Sequence, residues 1–376
     1  MPQLLPLPSV LCDEVVVAAG KIGVLTLNAP ARMNALNGEM IALLRESLIA
    51  WQTDPELLAV MLFADSHKVF CAGGDVRAVR EEALLSGGDY CEAAERFFEA
   101  EYRLDYLLHR YPKPVIAWGE GVVLGGGLGL LAGASHRVVT PSSRLAMPEL
   151  AIGFYPDVGA GYFLNQMPGR SGYLLGLTGS LFAAADALYT GVADYCLADE
   201  SRALFIEQLH QQAWLAGDQP NSAEHNALLL SELLAAMQVE AGDSWIAADQ
   251  QEIDRLCGGD DGLAIIESLL SYRGESQTIQ NAVREATKGS PLAARVTIKQ
   301  LLDSRDKTLA EVFIGELGLS TKLAQHREFQ EGVRAQLVDK DKQPQWQHQH
   351  PAEVLEAELA ALFTPPWPVS PLDDLC

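Results

Sequence analysis

The sequence predicts an α/β core followed by an additional, mostly helical C-terminal region, on three observations. Short apolar, β-branched runs alternate with helical periodicities as far as about residue 200. From about Ser201 the pattern becomes nearly continuous helix. Glycine-bearing turns punctuate the first part, at Cys71-Ala-Gly-Gly-Asp75 and Gly125-Gly-Gly-Leu-Gly129. The division expected from this change of character is a core over 1–200 and a helical region over 201–376.

Glu14–Ala18 and Ile22–Leu27 read as a hairpin turning at Gly20-Lys21. A helix follows from about Gly38 to Trp51, with Met40, Ile41, Leu44 and Leu48 on one stripe. Ala59–Phe63 is a buried strand, Ala93–His109 a helix and Pro114–Trp118 another strand. The triple glycine then opens a small-residue helix reaching about Ser135, and His136–Val139 is again strand-like. Beyond Ser201, helices are expected at Arg202–Leu215, His225–Val239, Gly262–Tyr272, Ser276–Ala286, Pro291–Leu302 and Thr308–Val338.

The formal net charge of −23 argues against nucleic acid or an anionic membrane as partner. Six scattered cysteines without a CxxC pair read as reduced thiols. The opening residues carry no targeting pattern, and no apolar run reaches the length of a membrane span. The expectation is a cytoplasmic protein that needs no metal or redox cofactor; a homo-oligomer is left open.

Bare backbone N–H groups at the two glycine turns could polarise a carbonyl oxygen as an oxyanion hole. The candidates are Gly74 and Gly126. Spacing alone also allows Gly125, Gly129 and Gly133 to serve close helix packing. Gly127-Leu-Gly129-Leu-Leu-Ala132 matches a dinucleotide fingerprint, but the acid that should end the second strand, Glu149, lies beyond it in a Pro-containing loop. Asp75 suits a helix N-cap. Glu149 and Asp157 flank the apolar stretch Ala151–Tyr155 and can transfer protons or attack; as loop acids they could instead cap helices. Glu101 interrupts an apolar stripe made by Phe97, Phe98, Leu104 and Leu108, so it is either a buried functional acid or a boundary residue reaching solvent or a salt bridge. There is no HExxH, GxSxG or Walker loop.

At Asn28-Ala-Pro-Ala-Arg-Met-Asn-Ala-Leu-Asn37, Cys71–Asp75 and Gly125–Gly127 the chain resembles the crotonase (enoyl-CoA hydratase/isomerase) superfamily. Met147-Pro-Glu-Leu-Ala-Ile-Gly-Phe-Tyr-Pro-Asp-Val-Gly159 and Phe329-Gln-Glu-Gly-Val-Arg-Ala335, continuing to Trp346, make it most similar to the branch that hydrolyses small 3-hydroxyacyl-CoA thioesters in valine breakdown. The resemblance implies a crotonase-like ββα spiral core binding an acyl-CoA, with CoA arriving as part of the substrate. It implies that Gly74 and Gly126 hold the thioester oxygen while Glu149 and Asp157 act on the carbonyl. Glu101, Ala72, Asp75, Arg77 and Arg32 would complete the substrate-binding set, Ala72 through its backbone to adenine and the arginines at CoA phosphates. Hydratases of the superfamily carry a second glutamate three residues after the oxyanion glycine; here Gly129 stands there. That departure counts against the alternative of an enoyl-CoA hydratase or isomerase. Retention of both Glu149 and Asp157 counts against a non-catalytic acyl-CoA-binding protein.

Overall fold

A computed structural model describes residues 8–88 and 90–376; the start of the chain, where no targeting pattern is read, lies partly outside them. Two compact units interleave along the sequence. The first holds the residues up to Gly74, Leu107–Leu145 and Ala183–Asp243; the second holds Asp75–Tyr106, Ala146–Phe182 and Ser244–Cys376.

In the first unit, β1 (Val10–Val17) and β2 (Gly20–Leu27) form the expected antiparallel hairpin. They continue into β3 (Leu57–Ala64), which is followed along the chain by β4 (Val69–Cys71), β5 (Val115–Gly119) and β6 (Val122–Leu124). Then come β7 (His136–Val139), β8 (Arg144–Ala146) and β9 (Tyr195–Cys196). The larger sheet has the order β1-β2-β3-β5-β7-β9, parallel from β2 onward, and the smaller has the order β4-β6-β8. Strands therefore alternate between sheets, β3 then β4, β5 then β6, β7 then β8. This is a repeated ββ unit, and each short strand runs directly into one of the turns singled out by sequence.

The period of two along the strands sets the core. Ile22 and Val24, Ala59, Met61 and Phe63, and Ile116 and Trp118 share one cluster with Phe205, Leu209, Leu230 and Leu234. The helices Arg202–Leu209 and Ser222–Ala236 thus complete the sheet's core. Unit boundaries follow this packing and not the change of composition near Ser201.

The second unit is helical. It contains Val76–Leu85, most of Glu92–His109, Ser171–Thr178, and helices at Trp245–Leu256, Gly262–Leu270, Gln277–Ala286, Pro291–Asp303, Leu309–Gln325 and Arg327–Val333. The continuous helix expected over Thr308–Val338 is broken at His326, whose backbone is extended (ψ 143°) and whose Nδ1 accepts from Glu328 N at 3.2 Å. A side-chain cap thus starts a new helix where periodicity alone runs on. Phe98 stacks on Phe154 at 5.6 Å between centroids, and Phe154 meets Phe329 at 5.3 Å. Ser290 N donates to Leu150 O at 3.0 Å, while Glu328 accepts from the Ser290 hydroxyl and from Gln347 N. The stretch Phe329–Trp346 thus belongs to a brace around the segment that carries Glu149. Arg334 adds ion pairs to Glu331, Asp339 and Asp341. Among the described residues no helix is long and apolar enough to cross a membrane.

Candidate active site

In the first unit, the Asn28–Asn37 segment holds the turn after β4. Asn34 is buried, and its side-chain amide donates to Val69 O and Phe70 O. Leu36 N donates to Gly73 O at 2.8 Å, and Ala72 N donates to Met33 O at 3.1 Å. Ala72 has therefore committed its N–H to Met33. Gly73 has φ 99° and Gly125 φ 48°, values that favour glycine, so both turns can bend sharply. An added Cβ on Gly73 would lie 3.7 Å from Gly126 N, which puts the two turns side by side. Gly126 is the first residue of the helix Gly126–Ala132 and is buried; its N–H has no intrahelical acceptor. Close packing at this turn falls on Gly127, where an added Cβ would press on Cys71. Arg32 is exposed on the same segment as Asn34.

In the second unit Asp75 caps the helix Val76–Leu85, accepting from Ala78 N, and Arg77 is exposed on that helix. Glu101, Glu149 and Asp157 are brought together, and each is buried. Glu101 is 2% exposed, which overturns the reading of it as a solvent-reaching boundary residue. Burial raises its pKa well above the usual carboxyl value, and the Asp157 charge adds to this. Glu149 is raised well above its ordinary value by burial, then by Asp157, against a backbone hydrogen bond that lowers it, with Glu101 adding a further push. Its Oε2 has no hydrogen-bond partner. Asp157 is pushed up to about 7 by burial, while its hydrogen bond with Tyr102 pulls the other way.

Asp157 does not cap a helix with its side chain: Oδ2 lies 2.7 Å from Tyr102 Oη, and the following helix, Ala160–Phe163, has Gly159 as its N-cap. Val158, between them, has φ 52°, an unusual conformation for a β-branched residue. Glu316 holds that turn in place, Oε2 accepting from Gly159 N at 2.8 Å and Oε1 from Gly161 N at 3.1 Å. Gln300 Nε2 also donates to it at 2.8 Å.

Two members of this cluster were not identified from sequence. Asp105 is fully buried, both of its carboxyl oxygens lack a hydrogen-bond partner among the described residues, and its pKa is raised well above normal by burial, then by Glu101, Asp157 and Glu316. It stands one helical turn after Glu101, a spacing that would have found it. Glu316, pushed up to about 8 chiefly by burial, lies among Val312, Phe313, Leu317 and Leu319, the same interruption of an apolar helix that marks Glu101. The cluster is thus Glu101, Asp105, Glu149, Asp157 and Glu316. Such acids, their pKa values raised by burial, can take up, give and hold protons near neutral pH. Among the described residues no group of side chains is arranged to hold a metal ion.

A family model described as enoyl-CoA hydratase/isomerase matches residues 22–363. The human protein named 3-hydroxyisobutyryl-CoA hydrolase, mitochondrial, is 34% identical over 340 residues, covering 90% of this chain and 85% of the relative. Among solved structures, a carnitinyl-CoA dehydratase from Mycobacterium thermoresistibile is 33% identical with a TM-score of 0.82, covering 96% of this chain and 97% of the other. An enoyl-CoA hydratase from Rhodobacter sphaeroides 2.4.1 is 30% identical with a TM-score of 0.81, covering 95% and 97%.

Proposed function

The chain belongs to the enoyl-CoA hydratase/isomerase family, and from that premise we propose that it hydrolyses the thioester of a small 3-hydroxyacyl-CoA, foremost 3-hydroxyisobutyryl-CoA. The observation that carries this reading is the distribution of acids. Glu149 shares its buried environment with Asp157 and Glu101, while Gly129, in a fully buried helix, brings no second glutamate. Adding water across a double bond calls on two cooperating acids, one of them at that position. Attack on a carbonyl calls on one base or nucleophile and an oxyanion hole. In this reading the N–H groups of Gly74 and Gly126 polarise the thioester oxygen, and Glu149 is the base or nucleophile. Asp157 orients the water, the acyl hydroxyl or Glu149, and Glu101 positions the substrate. CoA would meet the Ala72 carbonyl, Arg32 and Arg77.

Hydration of an enoyl-CoA, or the reverse dehydration of a hydroxyacyl-CoA, is the second reading, favoured by the names of the solved proteins that the chain resembles. One assay separates the two, because only hydrolysis frees CoA-SH. Thiol release from 3-hydroxyisobutyryl-CoA without added metal or nucleotide, with slow hydration of crotonyl-CoA, is the expected result. Rapid crotonyl-CoA hydration with no thiol release would overturn the proposal. The human relative's name places that protein in mitochondria; for this chain, six free thiols support a reducing compartment.

A further inference from the structure

Behind Asp157 runs a chain of hydroxyl groups with no evident part in holding a substrate. Tyr102 Oη lies 2.7 Å from Asp157 Oδ2 and 2.6 Å from Ser320 Oγ. Ser320 Oγ lies 2.8 Å from Tyr155 Oη, which donates to the backbone oxygen of Glu316 at 3.1 Å. Tyr102, Ser320 and Tyr155 are each 0% exposed.

Counting protons along this chain decides its direction. Each hydroxyl owns one proton, and the Glu316 carbonyl can only accept. If Asp157 is ionised, both ends of the chain are pure acceptors. Four oxygen–oxygen contacts then share three protons, and one buried contact is left lone pair against lone pair. A proton on Asp157 supplies the fourth. Asp157 then donates to Tyr102, Tyr102 to Ser320, Ser320 to Tyr155 and Tyr155 to the carbonyl. A Tyr102 hydroxyl committed to the carboxylate would favour the ionised form, but the contacts beyond Tyr102 oppose that commitment.

We propose that Tyr102, Ser320 and Tyr155 form a hydroxyl relay that holds Asp157 in its protonated form, so that Asp157 is the acid, and Glu149 the anion, of the thioester hydrolysis proposed above. The groups facing Asp157 agree with this. Glu101, Tyr102 and Asp105 face it from the helix Glu92–His109, Glu149 and Tyr155 from its own loop, and Glu316 with Ser320 from the helix Leu309–Gln325. Burial is the first influence on all five carboxyls, the Asp157 charge raises the pKa of the other four, and no cation acts on any of them among the described residues. Two neighbouring buried acids cannot both ionise cheaply, so fixing the proton on Asp157 frees Glu149 to carry the charge. With water as the attacking group, Glu149 takes one water proton as the new C–O bond forms. The C–S bond breaks with its electron pair on sulfur, and Asp157 gives that sulfur its proton. The proton on Glu149 then passes to Asp157, and one water has become the acid and the thiol. The hydrolysis itself rests on the reading above; the relay does not.

The test is an infrared pH titration of protein carrying 13C-labelled aspartate, with Asp157→Asn identifying the Asp157 band. Tyr155→Phe removes no hydrogen bond made to Asp157 itself, yet it leaves two contacts with two protons and so satisfies the carboxylate. Ser320→Ala leaves two separate contacts with two protons, one of them the Tyr102 contact to Asp157. Both should lower the Asp157 midpoint by roughly one pH unit, the shift that one hydrogen bond of ordinary net strength carries. Tyr102→Phe strips the acid of its partner in an apolar site and should raise it. The alkaline limb of kcat/KM for thiol release should move down with the midpoint in Tyr155→Phe. A Tyr155→Phe midpoint equal to or above the parent's overturns the relay; if that variant does not fold, Ser320→Ala decides by the same criterion. This titration pattern in a protein that releases no thiol supports the relay and overturns the hydrolase reading alone.

Discussion

Replacing Asp105 by Asn should stabilise the protein, and increasingly so as the pH rises. Asp105 is fully buried, neither carboxyl oxygen has a partner, and burial is the first cause of its raised pKa. In the unfolded chain the same group titrates near 3.9. Folding at higher pH therefore requires proton uptake, at a cost of about 1.4 kcal/mol for each pH unit above that value. That cost applies wherever burial keeps Asp105 neutral in the folded protein, and it is a ceiling because water reaching the site would reduce it. The sign follows from proton counting. Between the unfolded and folded pKa values the native state binds more protons than the unfolded state, so stability falls as pH rises. Asn keeps the shape and never ionises. The stability difference should be near zero at pH 4, favour Asn by more than 1 kcal/mol at pH 6, and grow until Asp105 itself ionises. Urea denaturation of parent and variant at pH 5 and pH 8 measures it. A difference independent of pH, or a variant weaker at pH 8, would refute the reasoning and show that the native carboxyl is ionised and compensated.

Glu149→Gln should keep fold and ligand binding while losing on the order of 10²- to 10⁴-fold in kcat, read by thiol release, since the amide can neither take a proton nor attack. Glu101→Gln should cost clearly less, as a positioning residue; a loss as deep as that of Glu149→Gln would reverse the ranking. Gly332→Ala places a Cβ in overlap with the Ile152 backbone, three residues past Glu149, and should destabilise by about 1–3 kcal/mol while lowering activity, measured by denaturation and turnover together.

The site's turns were legible in the sequence because their chemistry is local. Gly73 and Gly125 sit where φ must be positive, and Asp75 caps the helix it precedes. The carboxyl cluster was only half legible, because burial is a tertiary property. Glu101 drew attention as a charge on an apolar stripe, and Asp105, one turn on, carried the same signal without being read. Glu316 carried it too, inside a helix whose other acid, Glu311, is an ordinary first-turn residue. The compact units were illegible for a related reason. Helices after Ser201 look alike by periodicity, but only those bearing Phe205 and Leu230 meet the strand face of Met61 and Trp118. The break at His326 depended on one imidazole accepting one N–H, which no helical period records.

Burial alone does not tell which of the clustered acids work and which only hold. Glu316 and Asp105 are both almost inaccessible to solvent, yet Glu316 accepts from Gly159, Gly161 and Gln300, whereas neither oxygen of Asp105 accepts from any group. Three donors offset much of the desolvation of Glu316, and they bind it to the turn that aims Asp157. That is the pattern of a brace. Glu149 shares the other pattern, a buried oxygen with no partner, which folding alone would not retain at a cost of about 1–3 kcal/mol. By this criterion Glu149 and Asp105 are held at a cost in stability, and Glu316 is where some of it is recovered. If Glu316→Gln cost turnover without moving the temperature of unfolding, this division of labour would be wrong.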